Sequence, residues 1–84
     1  MVRFQIKTTN EFEEVLFKIK DNLFQIKVKK QIKKIINNPE IGKPMRHNRK
    51  GTREVYIKPF RLSYAYLKNE NLIIFLNLYH KKRQ

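Results

Sequence analysis

Residues 2–39, VRFQIKTTNEFEEVLFKIKDNLFQIKVKKQIKKIINNP, pass from a two-residue hydrophobic repeat to a helical one, and that switch decides the fold. Val2, Phe4 and Ile6 alternate with Arg3, Gln5 and Lys7, the pattern of a strand with one face in the core. From Asn10 the period changes: Phe12, Val15, Leu16 and Ile19 fall at i, i+3, i+4 and i+7, which lines one side of a helix. Asn10 followed by Glu13 has capping-box spacing and predicts the helix start. A second such pair, Asn22 with Gln25, opens another helix whose stripe is Val28, Ile32, Ile35 and Ile36. Asn37, Asn38 and Pro39 end it. The connection is very short, so the two helices form an αα-hairpin.

The remainder returns to the strand period. Residues 38–52, NPEIGKPMRHNRKGT, hold both glycines and two of the three prolines, and are expected to be the principal loop. REVYIK then puts Val55 and Ile57 inward, with Glu54, Tyr56 and Lys58 outward, and Pro59 marks a turn. FRLSYAYLK has Phe60, Leu62, Tyr64 and Tyr66 on its bulky side, with Arg61, Ser63 and Ala65 on the other. After a hairpin turn at KNEN, the run LIIFLNLYH is apolar on both faces, as an inner strand should be. The expected architecture is α+β: an N-terminal strand, an αα-hairpin and a three-stranded antiparallel meander. These form one sheet packed on the helices, in a single domain over residues 1–84.

A chain of 84 residues builds one core. It has no cysteine, which excludes disulfides and thiolate metal sites, and two histidines, His47 and His80, are too few for a zinc site. No metal or cofactor is expected. No apolar run approaches the roughly 20 residues of a membrane helix, and the first residues lack the apolar stretch of a signal peptide. A cytoplasmic protein without membrane contact is expected.

Charge is distributed unevenly. The 20 Lys and Arg outnumber the seven Asp and Glu, for a net charge of +13. Residues 1–22 are balanced, with four bases against four acids, and the excess lies beyond them. AT-rich codon usage explains abundant Lys, Asn and Ile but not their segregation by sign. Repulsion on this scale points to an anionic partner: nucleic acid, an acidic protein or a membrane surface. Lys27, Lys29, Lys30, Lys33 and Lys34 on the second helix read either as an RNA-binding stripe or as a solvated face. Lys43, Arg46, Arg49 and Lys50 concentrate charge in the principal loop, and four of the six arginines lie between positions 46 and 61. Arginine suits phosphate because its planar fork donates two hydrogen bonds at once. Arg61 stands among small neighbours, either able to reach a ligand or paired with Glu54.

Four fragments in this order, NPEIGKP closing the hairpin, Gly51 with REV, FRLSY, and His80 near the end, resemble the RelE/ParE superfamily of toxin–antitoxin systems. The likeness spans nearly the whole chain. GKPMRHNRKG and FRLSYAY look like the YoeB branch, and TREVYIKP like the YafQ branch. The resemblance implies the toxin of a type II toxin–antitoxin system: a ribosome-dependent mRNA endoribonuclease cutting A-site codons by 2′-hydroxyl attack without metal. Such chemistry requires a base, cations for the phosphorane charge and an acid for the leaving oxygen.

The resemblance assigns Arg61 to the scissile phosphate and His80 to the general acid. The loop glutamate of the YoeB type is missing, which leaves Glu54 and Tyr56 as candidates for the base and for orienting or stacking. RNA contacts are expected from Lys43, Arg46, Arg49, Lys50, Arg53, Lys58, Lys81, Lys82 and Arg83. His47 belongs to the loop. The implied partners are a cognate acidic antitoxin, in a hetero-oligomer, and the 70S ribosome with its mRNA. Two other readings stay open: a ParE-like toxin that inhibits DNA gyrase by binding, and a non-catalytic basic RNA-binding domain.

Overall fold

The computed structural model describes residues 3–45 and 51–80. Its elements run β1 (Gln5–Thr8), α1 (Asn10–Lys18), α2 (Asn22–Asn37), β2 (Lys43–Pro44), β3 (Thr52–Ile57), β4 (Phe60–Leu67) and β5 (Leu72–His80). The five strands form one sheet in the order β1-β5-β4-β3-β2, with β1 parallel to β5 and the other neighbours antiparallel. The α+β architecture with its helical hairpin and meander is therefore as expected. One strand is added: β2 lies inside the stretch expected to be loop and pairs with Glu54 and Arg53 of β3. Two residues are too short for any alternation, and Pro44 is tolerated because β2 is an edge.

Both helices are capped one residue before the expected position. Thr9 caps α1, its hydroxyl oxygen accepting from Phe12 N–H at 3.1 Å, while Thr8 donates to the Glu13 carboxylate. Asp21 caps α2, accepting from Leu23 and Phe24 N–H. Gln25 donates its side-chain amide to the Ile19 carbonyl at 2.7 Å, which ties the second helix to the end of the first. Ile19 ends α1 in extended backbone yet still packs on the core, as its place in the stripe required.

Both helices supply one shared core. Phe12, Phe24, Val28 and Ile35 from the helices meet Ile57, Leu62, Tyr64, Ile73, Phe75 and Leu78 from the strands. Phe12 stacks on Phe75 with centroids 5.7 Å apart, and Phe24 meets Phe60 at 5.1 Å. All these strand residues share one face of the sheet, since directly opposed residues project to the same side. Among the described residues no helix lies over the opposite face. None of the described helices is long and apolar enough to cross a membrane.

Candidate active site

Tyr64 and Gly42 hold the edge of the sheet. The Tyr64 hydroxyl, on a fully buried side chain, donates to the Pro39 carbonyl at 2.7 Å and accepts from Gly42 N–H at 2.9 Å. Burial pushes the phenol pKa up, partly offset by the Gly42 N–H and the Arg53 charge. Gly42 is required for this close approach, because a Cβ there would lie 2.6 Å from the Tyr64 hydroxyl. Arg53, opposite Tyr64 in the register, donates Nη1 to the carbonyls of Glu40 and Gly42 at 3.0 and 2.8 Å. Arg53, one of the residues expected to contact RNA, is 23% exposed here. It lies on the covered face, and its charge anchors the segment from Glu40 to Gly42.

An irregularity in β5 determines what stands on the open face. From Leu67↔Leu72 to Tyr64↔Phe75 the β4–β5 register is regular, but Ser63 then pairs with Asn77, leaving Leu76 as an extra residue. Such a bulge shifts the alternation by one position. Beyond it, Leu78 and His80 fall on the covered face, while Asn77 and Tyr79 fall on the open one. Thr9, just past the end of β1, secures this bulge: its N–H donates to the Phe75 carbonyl at 3.1 Å and its hydroxyl to the Leu76 carbonyl. One side chain thus caps α1 and holds the bulge.

Two rows of open-face residues result. Tyr56, Arg61 and Tyr79 oppose one another across β3, β4 and β5, as do Glu54, Ser63 and Asn77 in the adjoining row. Lys43 on β2 lies opposite Glu54. Glu54 joins the rows: its Oε1 accepts from Arg61 Nη1 at 2.7 Å and its Oε2 from the Tyr79 hydroxyl at 2.6 Å. The carboxylate is 18 % exposed and the arginine side chain 28 %, so the pair is only partly screened by solvent. Among the described residues the guanidinium is engaged through Nη1 alone, which leaves most of its five N–H donors directed elsewhere.

Three of the four expected catalytic residues, Glu54, Tyr56 and Arg61, therefore come together, with exposed Lys43 at the margin. His80 does not join them. Its ring meets the edge of Phe60 at 5.6 Å, on the side of the sheet away from Arg61. The residue expected as general acid thus stands apart from the residue expected on the phosphate, and the bulge is the reason. Lys58 is exposed in the β3–β4 turn. Arg46, His47, Arg49, Lys50, Lys81, Lys82 and Arg83 lie outside the described residues.

Tyr79 is the residue that sequence reasoning missed. It sits in a run apolar on both faces, where no alternation reveals which side it takes. Ser63, only 5 % exposed although it lies on the open face, also finds its explanation here. β3 and β5 flank β4 and are about 10 Å apart, so the Tyr79 ring reaches Glu54 by crossing β4, and a small residue lets it pass.

A family model, the ParE toxin of type II toxin–antitoxin systems, matches residues 6–84. Among solved structures, a chain of the intact E. coli RelBE toxin–antitoxin complex superposes with a TM-score of 0.81 at 11% identity, covering 96% of this chain and 100% of that one. The RelBE2 toxin–antitoxin complex of Mycobacterium tuberculosis matches with TM-score 0.76 and 20% identity over 93% of this chain and 98% of that one. The E. coli DinJ–YafQ complex matches with TM-score 0.74 and 20% identity over 95% and 96%. No curated protein matches. At these identities the structural likeness shows the fold.

Proposed function

The chain belongs to the ParE toxin family of type II toxin–antitoxin systems, and from that premise we propose that it is an mRNA endoribonuclease acting on the ribosomal A site. The observation that carries this reading is the Arg61–Glu54 pair on the uncovered face, a cation and a carboxylate held side by side. Arg61 binds the non-bridging oxygens of the scissile phosphate through its remaining donors, where charge grows in the phosphorane. Glu54 takes the proton of the ribose 2′-hydroxyl as the O2′–P bond forms. A carboxylate has about four lone-pair directions, so the hydroxyl finds one while Arg61 and Tyr79 occupy two. The P–O5′ bond breaks as water protonates the departing 5′-oxygen. The products are a 2′,3′-cyclic phosphate and a 5′-hydroxyl.

Lys43 and Lys58, and the basic residues on either side of the described segments, add the screened attraction that draws a polyanion to this face. The net charge also suits an acidic antitoxin, and the E. coli RelBE structure of matching fold is a toxin–antitoxin complex. The cytoplasm, where ribosomes are met, is the compartment this reading requires.

The separation of His80 from Arg61 favours a second reading, a ParE-like toxin that inhibits DNA gyrase by contact. One experiment separates the two. The chain is expressed without antitoxin, and RNA ends are mapped on translating ribosomes. Cleavage within codons, lost in Arg61→Ala, supports the nuclease. Growth arrest with no new ends refutes it and favours the binding toxin.

A further inference from the structure

Among the described residues the carboxylate of Glu54 accepts from two side chains, and the nuclease chemistry above uses one of them. The other, Tyr79, reaches from β5 across β4 to place its hydroxyl 2.6 Å from Glu54 Oε2. Without it, the partner left to Glu54 among the described residues is Arg61, a long side chain that is itself held by Glu54. Two flexible chains gripping each other fix neither, because each contributes rotamer freedom that the contact must remove. A phenol is different. Its ring is rigid and has two side-chain torsions.

We propose that Tyr79 is a positioning residue for this centre: it fixes the Glu54 carboxylate, and through it the direction of the Arg61 guanidinium. This rests on the reading that Glu54 and Arg61 form the centre. The tether is directional. With Oε2 bound toward β5, Oε1 lies over β4, where Arg61 meets it and where the phosphate would be received. The bulge at Leu76 is part of the device, since without the extra residue Leu78, not Tyr79, would stand opposite Arg61.

The test is a double-mutant cycle in a reconstituted translating system. Tyr79→Phe retains the ring, and far-UV circular dichroism confirms its fold. It should lower kcat about tenfold, the scale of one hydrogen bond to a charged group, with KM changed by less than about threefold, since the phosphate ligand remains. In a Glu54→Gln background the same change should cost nothing further, because Tyr79 acts through that carboxylate. A wild-type kcat in Tyr79→Phe, or an undiminished loss in the Glu54→Gln background, overturns the proposal.

A second measurement is independent of activity. In ¹⁵N relaxation of the arginine side chains, Arg61 Nε–H should be ordered in the wild type and disordered in Tyr79→Phe. Equal order overturns the proposal even if the wild-type protein cleaves no RNA, an outcome that by itself refutes only the nuclease.

Discussion

Replacing Thr9 with Val should weaken the domain out of proportion to the single atom exchanged. Valine keeps the shape and removes the hydroxyl, which caps α1 by accepting from Phe12 N–H and holds the bulge by donating to the Leu76 carbonyl. Losing an N-cap costs about 1 kcal/mol, and leaving a part-buried carbonyl without its donor adds about 1 to 2 kcal/mol. The sum, about 2 to 3 kcal/mol, corresponds to a fall of roughly 8 to 24 °C in Tm for a domain of this size. Thr9→Ser retains the hydroxyl and should lose less than about 1 kcal/mol. Thermal unfolding followed by circular dichroism measures both. The amide shifts of Asn77 to His80 should move in Thr9→Val and stay in Thr9→Ser, because those residues take their faces from the bulge. If the Val and Ser variants melt within about 2 °C of each other, the dual role of Thr9 is wrong.

Two further substitutions probe the edge of the sheet. Gly42→Ala places a Cβ 2.6 Å from the Tyr64 hydroxyl and 3.0 Å from Arg53 Cβ, so it should destabilise by about 1 to 3 kcal/mol through overpacking. Adding Tyr64→Phe should relieve part of that loss, and strictly additive urea midpoints would contradict the clash. Tyr64 also carries a pH dependence. Burial raises its pKa above the ordinary 10.0, so the folded state retains a proton that the unfolded chain gives up. That contribution is present below pH 10 and is lost as pH rises toward the folded value, with a slope of at most about 1.4 kcal/mol per pH unit. Tyr64→Phe should show a shallower fall in Tm between pH 9 and 11, with the lysines common to both proteins; parallel profiles would remove Tyr64 from the alkaline limb.

Much of the fold is legible because its elements repeat with different periods. Phe12, Val15, Leu16 and Ile19 can share one side only on a helix, and Val55 with Ile57 only on a strand. The caps lie one residue earlier than expected because Asn10 and Asn22 are outcompeted by Thr9 and Asp21, whose oxygens accept from N–H groups two or three residues ahead. The strand β2 escaped because two residues carry no period. The outward placement of Glu54 and Arg61 follows from alternation on strands with one polar side, and their pairing was one of two readings open for Arg61.

Period and composition by themselves determined the α+β class, the order of elements, the excess of positive charge and the projection of Glu54, Tyr56 and Arg61 from one side of the meander. Only the tertiary structure decided the partners of that group. Residues 72–80 are apolar on both faces, so moving the register by one exchanges one hydrophobic set for another and leaves no mark in the sequence. The extra residue at Leu76, secured by Thr9 at the end of β1, turns Tyr79 toward Glu54 and His80 toward Phe60. A bulge is a contact between distant segments, and it is set by hydrogen bonds that the local pattern does not encode.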